Sequence, residues 1–467
     1  LKFKHLKYLI LSLFSFASVE ALAIVPQNQK HLVHDSVHFI LIEGLKRTQL
    51  KTVYREINFN GEFPFFVNDS LLNRWEKRLS SLNLFTDVEL RKISDSLIIL
   101  VTEEFYFWIN PEGGFADRNF RNWLSDPKLD RLYLGGDFIF YNLFGLNHTL
   151  TFTMVGGFNQ QLGFEYEWPN NKFGDGWLGK IEFNYSRNRE IWASTKDNRV
   201  LYLKTEPNYA QEIYSGALKM TKKISYEKGL EFNYTFDQYS IDKSVLNFNS
   251  NYIGGSNKLS LNSLNIGYIY DSRDQKHYPV SGSEFRLFGE LQYSVSNSNQ
   301  QNLLKTIMLK WRNFIPLNRL YSIGTVIQGQ YKFGNLNYLQ SRQLGYTNDY
   351  IRGYELYVID GNGFILSKVS LRREIMNKKL NVKSLPWSKN YAKMPLQSWI
   401  TFFCDYARVL NFSQNQVENG NTLAQTNLNS LGISVDILAY YDLLSRFDIA
   451  RNRLGQWIFN ISFKHAI

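Results

Sequence analysis

The chain has 467 residues and a formal net charge of +11 at pH 7; 10 Trp, 29 Tyr and 35 Phe make 16% of it aromatic within an ordinary 44% hydrophobic total. Modest Gly (30) and Pro (10) exclude a collagen-like or disordered chain, and the single Cys404 excludes a disulfide framework or cysteine-cluster metal site. Its length calls for two or more domains or one very large sheet. Past the N-terminus no apolar run approaches the ~20 residues of a spanning helix, so a membrane could be crossed only by strands.

Residues 1–23 join Lys2, Lys4 and Lys7 to an apolar run from Tyr8 to Val19 and end in Ala21-Leu22-Ala23. This reads as a secretory signal peptide, with 24–35 as a linker. Residues 24–104 carry 10 basic against 11 acidic groups, so most of the positive charge lies in 105–467. An exported basic surface meets lipid phosphates or a polypeptide, not nucleic acid.

Residues 36–104 predict an α+β unit in the order β-α-α-β-β. Val37 to Ile42 is a β-run. Thr48 is placed to cap a helix reaching Ile57, and Asn68 or Asp69 a second, whose Leu71, Leu72, Trp75, Leu79 and Leu82 share a face. Strands from Phe85 to Ile93 and from Leu97 to Glu103 follow. Glu43-Gly44-Leu45, the run Leu82 to Val88 and the run Leu97 to Glu103 resemble a POTRA domain, the periplasmic polypeptide-binding module of outer-membrane assembly proteins. The resemblance implies capture of clients by strand addition at a sheet edge.

From Phe105 the period becomes two. Leu230, Phe232, Tyr234 and Phe236 alternate with Glu231, Asn233, Thr235 and Asp237, and Trp457, Phe459, Ile461 and Phe463 repeat the theme. Long runs with rings on one face and charged or amide groups on the other predict a transmembrane antiparallel β-barrel over 105–467, lipid outside and a wet lumen inside. Sixteen strands are expected: 105–115, 131–141, 148–158, 161–168, 177–188, 213–224, 229–240, 260–271, 283–295, 302–314, 319–333, 362–375, 397–408, 428–438, 444–451 and 455–465. In the first, Pro111 has no N–H for a ladder and Gly113-Gly114 add freedom, so weak pairing is expected where the first strand must meet the last.

Two motifs point to a family. Asp271-Ser272-Arg273-Asp274 with Tyr278-Pro279 and Gly282 lies in a turn expected on the periplasmic side, and Ile351-Arg352-Gly353-Tyr354 lies in the sixth long loop, expected outside the cell. With Phe403-Cys404-Asp405 on the thirteenth strand and the POTRA-like unit, they resemble the BamA/TamA superfamily of outer-membrane assembly barrels. In that family the matching arginine enters the lumen, meets the strand carboxylate and holds the loop inside. The resemblance assigns that role to Arg352 and Asp405, and Gly353 permits a tight tip. A guanidinium on a carboxylate is a planar, two-nitrogen pair that Lys cannot copy. Ala407 stands where the family has glycine and Ser370 where it commonly has glutamate, which removes a potential partner of Arg352. Phe463 is the candidate recognition aromatic of the last strand, four residues before Ile467.

Parts for catalysis are missing: no G-x-S-x-G, no H-E-x-x-H, and no metal-ligand spacing among the seven His. Asp271 and Asp274, beside Arg273, read as a salt-bridged turn and not an acid/base pair. The expectation is a non-enzymatic outer-membrane protein that needs no cofactor or metal and is a short single-POTRA relative of the assembly barrels. It would assist insertion of outer-membrane proteins or translocation of polypeptide. Its partners would be unfolded outer-membrane or secreted polypeptides, outer-membrane lipids or lipopolysaccharide, and accessory lipoproteins. The rivals are a two-partner-type secretion pore and a passive anion-selective channel.

Overall fold

The computed structural model describes residues 36–57, 59, 61–80, 82, 84–115, 131–169, 176–225, 227–275, 278–297, 301–346, 349–381, 393–411, 420–439 and 443–465. The expected signal peptide and linker lie outside them.

The N-terminal elements are β1 (Ser36–Val37), β2 (Phe39–Glu43), α1 (Leu50–Glu56), β3 (Phe65–Phe66), α2 (Asp69–Ser80), β4 (Phe85–Ile93) and β5 (Ser96–Glu103). β5 lies between β2, which runs parallel to it, and β4, which runs antiparallel. Alternate β5 residues Leu97, Ile99 and Val101 meet Val53 of α1 and Trp75 and Leu79 of α2 in one core. Asn68 caps α2 as expected, its Oδ1 accepting from the Leu71 N–H at 2.8 Å. Thr48 does not cap α1: Gln49 holds the cap position, without a side-chain bond.

Sixteen strands form one antiparallel sheet, and each overlaps a span expected from the alternation. In chain order they begin with β6 (Phe107–Phe115), β7 (Leu132–Leu143), β8 (His148–Gly157), β9 (Asn159–Trp168) and β10 (Trp177–Asn188). A separate hairpin, β11 (Glu190–Lys196) and β12 (Arg199–Lys204), intervenes. The sheet resumes with β13 (Gln211–Lys223) and β14 (Lys228–Ile241). After a short helix α3 (Lys243–Phe248) come β15 (Lys258–Asp271), β16 (Gly282–Ser296), β17 (Gln301–Pro316) and β18 (Tyr321–Phe333). The next loop holds α4 (Tyr338–Ser341), β19 (Arg342–Leu344) and β20 (Ile359–Asp360). The sheet ends with β21 (Gly363–Asn381), β22 (Lys393–Leu410), β23 (Leu428–Ala439), β24 (Leu443–Asn452) and β25 (Trp457–His465). β6 and β25 are its two ends, each with one ladder partner among the described residues.

The two faces of this sheet invert the soluble pattern. Phe402, Tyr406, Leu431, Ile433, Val435 and Ile449 are exposed, whereas Thr401, Asp405, Ser430, Ser434, Asp436 and Asp448, alternating with them, are buried. An apolar outer face over a polar interior suits strands surrounded by lipid. The sheet is rolled: Tyr278, in the turn between β15 and β16, donates a hydrogen bond to Asp436 Oδ2 on β23 at 2.6 Å.

Candidate functional site

The loop between β18 and β21 turns inward and carries Ile351 to Tyr354 onto the inner face of β22 to β24. Ile351 is 2% exposed and packs with Phe364, Leu366, Ala407 and Leu428. This apolar anchor fixes the loop one residue before the arginine. Arg352 Nε donates to Asp405 Oδ2 at 2.9 Å and Nη2 to Asp405 Oδ1 at 2.5 Å, and the Arg352 backbone N–H reaches Oδ2 at 3.2 Å. The guanidinium lies over the Phe403 ring, 3.7 Å from its centroid. Arg352 is 4% exposed and Asp405 0%.

Ser370 corrects the reading of a lost partner. Its Oγ accepts from Arg352 Nη2 at 3.2 Å, so the substitution exchanges a charged partner for a neutral one. Gly353 has φ +85°, and a Cβ there would sit 3.0 Å from the Ala450 Cβ. Tyr354 reaches β23 by donating to the Asn429 carbonyl at 3.2 Å, and its hydroxyl accepts the Arg453 N–H. Glu355 turns back to accept from the Gly353 N–H at 2.9 Å. Burial first, then the Asp448 carboxylate, push Glu355 up to about 7 against the pull of that N–H and of Lys368.

The second motif fixes a turn. Arg273 Nε and Nη2 grip the two Asp271 oxygens, each at 2.7 Å, and Nη2 lies 3.3 Å from Glu284. Asp274 Oδ1 accepts from the N–H groups of Gln275, Val280 and Ser281. The Pro279 carbonyl accepts from Arg372 Nη1 at 2.8 Å. Gly282 has φ +93°, and a Cβ would lie 2.3 Å from the Ser272 oxygen. All this presents Tyr278, whose ring stacks on Trp399 at 4.0 Å while Arg372 covers it at 4.5 Å. Sequence reasoning named the turn but missed that Tyr278 crosses to β22 and β23.

The expected weak pairing of β6 is not found on its β7 side. Register runs unbroken from Phe107↔Phe140 to Phe115↔Leu132, through Pro111↔Gly136, Gly113↔Leu134 and Gly114↔Tyr133. The physical reason lies in alternation. The Tyr141 N–H donates to the Tyr106 carbonyl, so even-numbered residues of this strand point their backbone groups at β7 and odd-numbered ones point away. Pro111 is odd, and its missing donor falls on the open edge. At the other end Phe463 pairs with Ser445 on β24, and its side chain lies outside the described residues.

Two further contacts were not foreseen. Asn142, near the end of β7, donates to Thr48 Oγ1 at 2.9 Å, Thr48 meets Tyr106 Oη at 3.0 Å, and Tyr106 donates to the Leu84 carbonyl. Beside this chain Gln49 N–H and Thr52 Oγ1 both donate to the Gly145 carbonyl. The N-terminal unit is thus docked on the β7–β8 turn. Across the molecule, the hairpin tip residue Asn198 accepts from the Leu423 N–H and donates its own N–H to Asn421 Oδ1 at 2.8 Å. A signal existed: Asp197-Asn198 between alternating apolar residues is a two-residue hairpin turn, and both have positive φ. No cluster of His, Cys, Asp and Glu that could hold a metal ion occurs among the described residues.

The Omp85 superfamily domain matches residues 142–440, well over half of the chain. The chain belongs to the Omp85 superfamily. Arg352, Asp405 and the 271–282 turn lie inside the matched span, whereas the N-terminal unit, β6 and β25 lie outside it. Among solved structures, BamA from Haemophilus ducreyi lacking POTRA domains 1–3 is similar at a TM-score of 0.56 and 15% identity, covering 91% of this chain and 82% of that one. CdiB from Acinetobacter baumannii is similar at a TM-score of 0.50 and 11% identity, covering 92% and 73%. At such identities the likeness is one of Omp85 fold. A search among curated proteins returns no match.

Proposed function

We propose that this Omp85 protein is an outer-membrane barrel of the BamA/TamA type with a single periplasmic POTRA-like unit, which assists insertion of outer-membrane barrel proteins. Capture of an unfolded client at the exposed edge of β2 would be followed by pairing at the seam between β6 and β25. The observation that carries this reading is the open edge of β6: Pro111 interrupts its row of donors where a closing strand would need them, while the β7 side is fully paired. A seam held by fewer hydrogen bonds opens at lower cost and leaves a template for a client strand. The apolar outer face fits lipid and lipopolysaccharide.

The same superfamily contains secretion pores, and the name CdiB belongs to one of the similar structures. A passage through the lumen fits this chain less well. Tyr278 with Asp436 near one end of the strands, and Asn198 with Asn421 near the other, bridge the interior. Reconstitution into liposomes separates the readings. Accelerated folding of a denatured barrel client is expected, and steady anion conductance with no effect on client folding would sink the proposal.

A further inference from the structure

We propose that the loop end of the sheet, on the side remote from the N-terminal unit, carries a binding site for a short neutral oligosaccharide. The site is a cavity of about 580 Å³, within the ~300–1,000 Å³ of small-ligand pockets. Four separate segments build it: the β11–β12 hairpin, the segment after α3, the loop around α4 and β20, and Asn411 and Asn421 between β22 and β23.

The lining is chemically narrow. Asn249, Asn251, Asn335, Asn411 and Asn421 contribute amides, and hydroxyl groups come from serine, threonine and tyrosine. The Asn249, Asn411 and Asn421 amides are engaged by Ala193, Tyr331 and Thr195 and shape the walls, while Asn251 and Asn335 present donors and an acceptor on one plane, the arrangement that adjacent sugar hydroxyls match, since each hydroxyl is both donor and acceptor. Among the described residues Asp360 is the one carboxylate in the lining, and no Lys or Arg belongs to it. A phosphate or carboxylate ligand would meet Asp360 and no cation of the lining, the Arg342 guanidinium lying against the Tyr338 ring and outside it. An apolar ligand would strip water from amides and leave them unpaired.

The walls are pre-formed, which lowers the ordering cost of binding. Tyr338 is 8% exposed, and its ring is held by Tyr252 at 5.9 Å and by the Arg342 guanidinium at 4.8 Å. The Asn337 and Gln340 side chains form a reciprocal capping box at the start of α4. Asn249 Nδ2 donates to the Ala193 carbonyl at 2.8 Å, and Asn421 Nδ2 to the Thr195 carbonyl at 3.2 Å. Asn251, Asn335 and Asn411 form an exposed rim above buried Asp360, Asn421 and Thr195. The aromatic-and-amide floor under a wet rim is complementary to a ring that is apolar on its faces and polar at its edge.

The test uses the full chain folded in detergent micelles, with dephosphorylated and carboxyl-reduced core oligosaccharide released from lipopolysaccharide as the neutral probe. Saturable binding by calorimetry is expected, weakened at least tenfold in Asn251→Leu and in Asn335→Leu, each still showing heat-modifiable electrophoretic mobility. In the unaltered protein the same oligosaccharide should slow backbone hydrogen exchange in 249–252 and 334–336. No saturable binding, unchanged exchange, equal affinity in both variants, or competition by inorganic phosphate would each overturn the proposal. Displacement of the oligosaccharide by a denatured barrel peptide would also overturn it, because the amides would then be reading polypeptide.

Discussion

Arg352 and Asp405, 53 residues apart, meet through two guanidinium nitrogens and one backbone N–H, with the Phe403 ring against the guanidinium face and Ser370 on the remaining edge. Both residues are almost wholly out of water. Two parallel charge-assisted bonds give direction as well as attraction, so this pair fixes where the loop sits and not merely that it is held.

Breaking one half of such a pair leaves a buried charge without its partner, which costs about 3–5 kcal/mol. Arg352→Ala and Asp405→Ala are each expected to lower the urea midpoint of the folded protein, read by electrophoretic mobility, and to impair client folding. The double variant should lose less than the two single losses together. Arg352→Lys should behave closer to Arg352→Ala than to the parent, since an ammonium cannot take two oxygens in one plane. Additive losses would argue against direct contact.

Glu355, beside the lock, gives a pH dependence of defined sign. Its carboxyl is raised to about 7 from an ordinary value of 4.5, so the folded loop binds the proton more tightly than the unfolded chain does. Its contribution is therefore fully present below about 4.5 and is lost as pH rises through about 7. The thermal midpoint should fall between pH 5.5 and pH 8, and Glu355→Gln should flatten that fall while raising the midpoint at pH 8. An unaltered slope in Glu355→Gln would assign the effect to another group.

How much of this was readable from the sequence varies with the range of the interaction. Strands announce themselves through period two, and every sheet strand from β6 to β25 overlaps its expected span because one face is apolar throughout. Arg352 and Asp405 were named through a motif resemblance and then placed by parity, since Asp405, Phe403 and Thr401 share one face. Parity also decides what Pro111 does. Composition says that a donor is absent, but only the register to β7 says which edge lacks it. Thr48 shows the opposite limit: locally it is an ideal cap, yet Asn142 and Tyr106, 94 and 58 residues away, claim its hydroxyl. Tyr278 carries no local signal for its crossing at all.

The seam makes its own prediction. Pro111→Ala restores an N–H on the open edge of β6 without disturbing the β7 ladder, and one recovered backbone bond contributes about 0.5–1.5 kcal/mol. On the proposed seam mechanism, client folding in liposomes should slow several-fold while the resistance of the barrel to urea is kept or raised. Unchanged client folding would mean that closure between β6 and β25 does not limit the process.

The Thr48 relay, with Gln49 and Thr52 beside it, couples the N-terminal unit to the end of β7 and the β7–β8 turn. Thr48→Val keeps the shape but leaves the Asn142 amide and the Tyr106 hydroxyl short of a partner, at a cost of about 1–3 kcal/mol. Limited proteolysis should then release the N-terminal unit faster, with the sixteen-strand fragment intact. Cleavage at the parent rate would show that Gln49 and Thr52 on Gly145 suffice to hold the junction.

Tyr278 offers the sharpest separation of insertion from lumenal transport. Its ring, 2% exposed, joins Trp399, Arg372 and Asp436 into one packed bridge between the β15–β16 turn and β22 and β23. Truncating a buried aromatic costs about 3–5 kcal/mol and here also removes the span itself. Tyr278→Ala should raise single-channel conductance in planar bilayers. If clients fold at the seam, their folding rate should change much less than the conductance. If they pass through the lumen, the same truncation should speed their transit in step with conductance, and that outcome would move this Omp85 protein from the insertases to the secretion pores.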